Sequence, residues 1–120
     1  MQYDIIDQKD FFHITLSGKP IKNEILQTKR MLLPLLNKKG VHVIIDLQDL
    51  QDFQAVDSLF LFGILNSIRK EISFLGGDLM LCSLDAEMLQ YFQQNRLNKI
   101  FDICKDKESA EESEWRQHDG

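Results

Sequence analysis

The stretch QAVDSLFLFGILNSIRKEISFLGG, residues 54–77, holds the pair Asp57–Ser58 at the point where helical spacing begins. A serine hydroxyl at a helix start is expected to be accessible. A phosphate carried there would meet unpaired amides and the positive end of the helix dipole. Its charge of about −2 would lie beside Asp57 and could repel an acidic partner. The same two residues also suit an N-cap, since either side-chain oxygen can accept a hydrogen bond from a first-turn amide. The two roles are compatible. Leu59, Phe60, Leu61 and Phe62 follow directly, so the first turn is apolar on nearly every side. Leu61, Leu65, Ile68, Ile72 and Leu75 recur at steps of three or four and form the core face. Leu59, Phe60 and Phe62 fall partly off that stripe. They form either an exposed patch suited to a partner or a surface that the preceding loop covers through Phe53.

Other chemistry is sparse. Asp46 closes the run VIID, where a phosphate-accepting aspartate would sit in a receiver-like domain. Such a site needs an acidic pair for Mg²⁺ at a neighbouring strand end, and Ser17-Gly18-Lys19 supplies none. Asp46 therefore reads as the polar end of a buried strand. His13, His42 and His118 lack metal-ligand spacing. Cys82 and Cys104 each sit in an apolar, strand-like run and read as small core residues; they form no C-x-x-C motif. There is no G-x-S-x-G elbow and no glycine-rich phosphate loop. No metal or cofactor is expected.

The elements that must position Asp57–Ser58 follow from periodicity. YDIIDQKDFFHITLSG reads as two short strands around Lys9–Asp10, the second alternating apolar and polar residues. A helix is expected from near Asn23 as N-cap, with Pro34 kinking it or breaking its last turn. VHVIIDL reads as a buried central strand. The helix from Asp57 stops at Gly76–Gly77, and DLMLCSL is the next strand. Asp85 caps a third helix with Met88, Leu89 and Phe92 inward. KIFDIC is the last strand. DKESAEESEWRQHDG reads as an acidic helix or frayed tail, with Trp115 as an anchor. The order β-β-α-β-α-β-α-β-α points to one α/β domain: a mostly parallel mixed sheet of four to five strands packed with about four helices.

A hydrophobic share of 43% and a charged share of 28% suit a globular domain, and 120 residues suffice for a core. The net charge of −5 argues against nucleic acid or acidic membranes as general partners. Asp4 and Asp7 interrupt any leader-like start, and no apolar run approaches the roughly 20 residues of a membrane span. A cytoplasmic protein is expected, without membrane insertion.

The strand VHVIIDLQDL, the VDS opening the next helix, and FLGGDLMLCSLDAEMLQYFQQNRLNKIFDI together resemble a STAS domain, the sulphate transporter and anti-sigma factor antagonist family. Leu97 and Phe101 stand in the closing Leu-x-x-x-Phe positions. The resemblance runs over the core, about residues 3–110, of a single domain spanning 1–120, with 111–120 as the helix end or tail. In the bacterial anti-anti-sigma branch the helix opens Asp-Ser-[Ser/Thr]-Gly-Leu. That implies Asp57 as the motif aspartate, Ser58 as phosphoacceptor and Leu61 as the following leucine. Leu59 and Phe60 replace the usual Ser/Thr and Gly, and the loop before the helix is longer. The family's Gly-Glu-Leu-Asp turn appears as Gly18-Lys19-Pro20-Ile21, without its acids.

The resemblance implies a non-enzymatic regulator, an anti-sigma factor antagonist switched by phosphorylation at Ser58. Its partners would be an anti-sigma factor that is also a serine kinase, and a PP2C-type phosphatase. Leu59, Phe60, Phe62, Lys19 and Ile21 are the expected partner-binding residues, and a homodimer is left open. The alternative is a constitutive STAS interaction subunit, in a signalling scaffold or beside a lipid transporter. A third reading is a small-ligand or nucleotide-binding module at the loop ends of the sheet.

Overall fold

A computed structural model describes residues 1–53 and 57–104. In chain order the elements are β1 (Gln2–Asp7), β2 (Phe12–Gly18), α1 (Lys22–Leu36), β3 (His42–Leu50), α2 (Ser58–Phe74), β4 (Asp78–Cys82), α3 (Ala86–Gln94), a 3₁₀ turn (Leu97–Lys99) and β5 (Asp102–Cys104). The five strands lie side by side in the order β1-β2-β3-β4-β5. β1 pairs antiparallel with β2, and the other three pairs are parallel.

Each parallel crossover moves one place in the same direction across the sheet. Crossovers of this type are right-handed, so α1, α2 and α3 fall on one face. Side-chain alternation agrees. Ile14, Leu16, Val43, Ile45 and Leu81 join Leu32, Leu61 and Leu65 in the main core. The alternate residues Ile44, Met80 and Cys82 form a smaller cluster on the opposite face with Phe11 and Cys104. The mixed, mostly parallel sheet is the one the element order predicts. Three of the expected helices are described; the fourth, with Trp115 and His118, lies outside the described residues.

Several local expectations are corrected. α1 starts at Lys22 with Ile21 at the cap position, so Asn23 is not the cap. Its helical run continues through Pro34 to Leu36, losing one ladder hydrogen bond without ending. β3 runs on to Leu50, so Asp46 lies inside the strand. On α3, Asp85 does cap, accepting a hydrogen bond from the Met88 amide at 2.8 Å. Met88 and Phe92 are buried there, but Leu89 is exposed.

The end of α2 matches its sequence closely. Gly76 takes φ of +80°, its amide donates to Ser73 O, and the Gly77 amide donates to Ile72 O, both at 2.9 Å. This is the doubly bonded helix end that a left-handed glycine allows.

Candidate functional site

The carboxyl ends of β2 and β3 bring together the loops that lead into α1 and α2. The Gln51 amide donates to Gly18 O at 2.9 Å, tying the two loops side by side. Asp57 then joins the two helices. Its carboxylate Oδ2 accepts the Lys22 amide at 3.0 Å, and it makes no side-chain cap to its own helix. Ile21 offers no side-chain oxygen to the start of α1, so the cap is supplied by Asp57, the residue that precedes α2. Asp57→Ala is expected to cost about 1 kcal/mol, as loss of a cap does. Urea denaturation should record this as a lower midpoint with an unchanged slope.

This junction creates a mixed surface. Lys22 Nζ lies 5.4 Å from the centroid of the Phe60 ring, a distance at which an ammonium is attracted to an aromatic face. Leu59 is 51% exposed and Ile21 45% exposed. Lys19, two residues before Ile21, is exposed, while Phe60 is half-buried against the core. Of the five partner residues expected from sequence, Lys19, Ile21, Leu59 and Phe60 are thus on or near the surface at the two helix starts.

Phe62 is a correction. It is fully buried, packed edge-on to Phe92 at 4.8 Å and tilted against Tyr91 at 6.2 Å. The core face of α2 is wider than its main stripe because Tyr91 and Phe92 of α3 meet Phe62 from that side. Phe53, the loop residue expected to fold back, sits edge-on to Tyr91 at 5.6 Å; it covers the Phe62 side of the helix. Leu59 stays open. Burial pushes the Tyr91 phenol above its ordinary value, so the ring enters this cluster protonated.

Ser58 is the larger correction. The expected open hydroxyl is absent: Ser58 is 0% exposed, and its Oγ donates to Asp52 O at 3.3 Å. Asp52 adopts φ of +49°, the left-handed turn that Asp tolerates better than most residues. That turn brings its carbonyl over the hydroxyl. The Ser58 side chain satisfies the loop, neither presented to solvent nor capping α2.

Asp46 is also internal. Oδ1 accepts the Gln48 amide at 2.9 Å, and Oδ2 lies 3.3 Å from His13 Nε2 on the neighbouring strand. The pair joins β2 to β3 where it is buried. Among the described residues no group of His, Cys, Asp and Glu could hold a metal ion, and no helix is long and apolar enough to cross a membrane. Sequence reasoning missed Lys22 and Asp52. The available signal for Lys22 was a helix start preceded by Ile21, which leaves its first amides to be capped from elsewhere.

The STAS domain family model matches residues 3–110, and the chain belongs to that family. No curated protein matches it in sequence. Among solved structures it is similar to the crystal structure of TM1081 from Thermotoga maritima, with 22% identity and a TM-score of 0.66 over 92% of each chain. It is similar to an anti-sigma-factor antagonist (STAS) domain protein from Planctomyces limnophilus, with 16% identity, a TM-score of 0.70, and 90% and 93% of the two chains covered. The anti-sigma factor antagonist SpoIIAA in its unphosphorylated form is similar at 14% identity and a TM-score of 0.68, over 92% of this chain and 94% of SpoIIAA. At these identities the likeness is one of fold.

Proposed function

We propose that this STAS protein is a non-enzymatic regulator of the anti-sigma factor antagonist type, acting in the cytoplasm by binding a protein partner. The surface is the joined start of α1 and α2: Ile21 and Leu59 at its exposed apolar centre, Phe60 beneath, Lys19 and Lys22 at its edge. The observation that carries this is the Asp57–Lys22 bond. It holds the two helix starts in one fixed geometry, so the patch is preorganised. Preorganised apolar residues rimmed by charge are what a binding hot spot requires. The partner class is an anti-sigma factor that is also a serine kinase, with a PP2C-type phosphatase as the reversing enzyme.

The covered Ser58 favours a second reading, in which binding is constitutive and no phosphate switch operates. A switch at Ser58 requires its hydroxyl to leave Asp52 first. The binding test uses the anti-sigma-type kinases of the same organism, purified and titrated against the protein. Leu59→Ala and Ile21→Ala together are expected to weaken the complex about 10-fold or more, given 1–2 kcal/mol for a central anchor. Both side chains are half-exposed, so the melting temperature should shift by only a few degrees. Unchanged affinity in the double variant sinks the surface assignment. Wild-type failure to bind any such kinase sinks the partner class.

A further inference from the structure

The second face of the sheet carries a pair of thiols that the partner-binding reading does not use. Cys82 ends β4 and Cys104 ends β5, and the two are direct register partners on adjacent parallel strands. Both belong to the cluster opposite the helices, so both side chains leave the same face of the sheet. Adjacent strands lie about 4.7–4.9 Å apart, inside the roughly 4.4–6.8 Å Cα separation that a disulfide spans. Cys82 is fully buried and Cys104 half-buried, both as thiols. The surroundings are sulfur-rich: Cys104 Sγ lies 2.8 Å from Met80 Sδ, and the Ser83 hydroxyl lies 3.7 Å from Cys82 Sγ.

We infer that Cys82 and Cys104 form an oxidative modification site, a dithiol that closes to an intrachain disulfide on reaction with hydrogen peroxide. Cys104 is the entry point because it is the less buried of the two residues. Its thiolate attacks the peroxide oxygen, the O–O bond breaks, and Cys104 becomes a sulfenic acid as hydroxide leaves. The Cys82 sulfur then attacks the Cys104 sulfur. The S–O bond breaks, the hydroxyl departs as water with the thiol proton, and the S–S bond forms. Two thiols have lost two electrons and two protons, and the peroxide has become two waters.

β5 makes this feasible. It is a three-residue strand at the edge of the described sheet, and its register with β4 sets the two cysteines directly opposite each other. The product would lie at the sheet edge with Cys104 only half-buried, and exposed disulfides are among the readily reduced ones. The site is therefore a reversible staple on the sheet edge.

The test treats the reduced, purified full chain with excess hydrogen peroxide and follows intact mass and a non-reducing peptide map. The expected product has lost two hydrogens, contains a Cys82–Cys104 linked peptide, and returns to the starting mass with a glutathione buffer. Hydrogen exchange at the β5 amides should slow in the oxidised form. Cys82→Ala should stop at a Cys104 sulfenic acid that dimedone traps. Cys104→Ser, altering only a half-buried side chain, should take up no oxidant at position 82. The wild-type map decides the matter even where a variant folds poorly. A wild-type product that gains oxygen at Cys104, links two chains, or keeps both thiols overturns the assignment.

Discussion

Gly77→Ala is expected to lower the melting temperature by about 10 °C or more, on a cost of about 3 kcal/mol or above. A Cβ at position 77 would stand 2.2 Å from Val41 O, 2.8 Å from Ile72 Cγ2 and 3.0 Å from Val41 N. Two of those three atoms are backbone, so no rotamer change relieves the overlap. Val41 O is also the acceptor for the Asp78 amide at 3.0 Å, the bond that starts the β3–β4 pairing. Moving it away breaks that bond and disturbs the Gly77–Ile72 closure of α2. The other glycines grade the effect. Gly76 has open space but φ of +80°, so alanine there should cost about 1 kcal/mol. Gly63 lies mid-helix with open space and no positive φ. Alanine at that position should stabilise by about 0.5–1 kcal/mol. Calorimetry of the three variants should rank them Gly63, Gly76, Gly77. A Gly77 variant melting within a few degrees of wild type would show that the residues leading into β3 and β4 do not meet this closely.

What was legible in the chain was what depends on neighbours in sequence. The alternation of Phe12–Leu16, the β-branched run at 43–45, the Asp85 cap and the Gly76–Gly77 stop each involve a few consecutive residues, and each occurs as expected. The strand–helix alternation then set the parallel sheet, because handed crossovers leave few arrangements. The misreadings share a different origin. Asp57 has the right side chain and the right position to cap α2, yet it bonds Lys22 of another helix, 35 residues earlier. Phe62 lies off the best apolar stripe, yet α3 approaches from that side and buries it. Leu89 lies near the inward face of α3 but is left open, while Met88 and Phe92 join the core, Phe92 against Phe62 and Phe101. A helical wheel gives the direction of each side chain, not what the fold brings to meet it.

That distinction bears most on Ser58, where local rules and tertiary placement give opposite expectations. Ser58→Ala should cost about 0.5–1.5 kcal/mol, the value of one neutral hydrogen bond, and here at the lower end because the bond to Asp52 O is 3.3 Å long. Ser58→Asp should cost several kcal/mol, since it places a carboxylate at a position with no solvent exposure and against a carbonyl oxygen. The chain must then either unfold or release the Asp52 turn. Differential scanning calorimetry should show a drop of about 10 °C or more for Ser58→Asp and a few degrees for Ser58→Ala. Equal, near-wild-type melting of both variants would mean that the hydroxyl is open after all. The same geometry predicts the kinetics of any phosphate transfer. A kinase can reach Ser58 only in molecules whose Asp52 contact has opened, so the rate follows the population of that open form. Raising urea below the unfolding transition should therefore accelerate phosphorylation, read by intact mass, provided the kinase alone on a model peptide is unaffected. Loss of partner binding in Ser58→Asp is consequently evidence for a phosphate switch only if the variant is still folded at the temperature of the assay. The exposed pair Ile21 and Leu59 tests the interface without that ambiguity, because neither side chain supports the core that Ser58 helps to close.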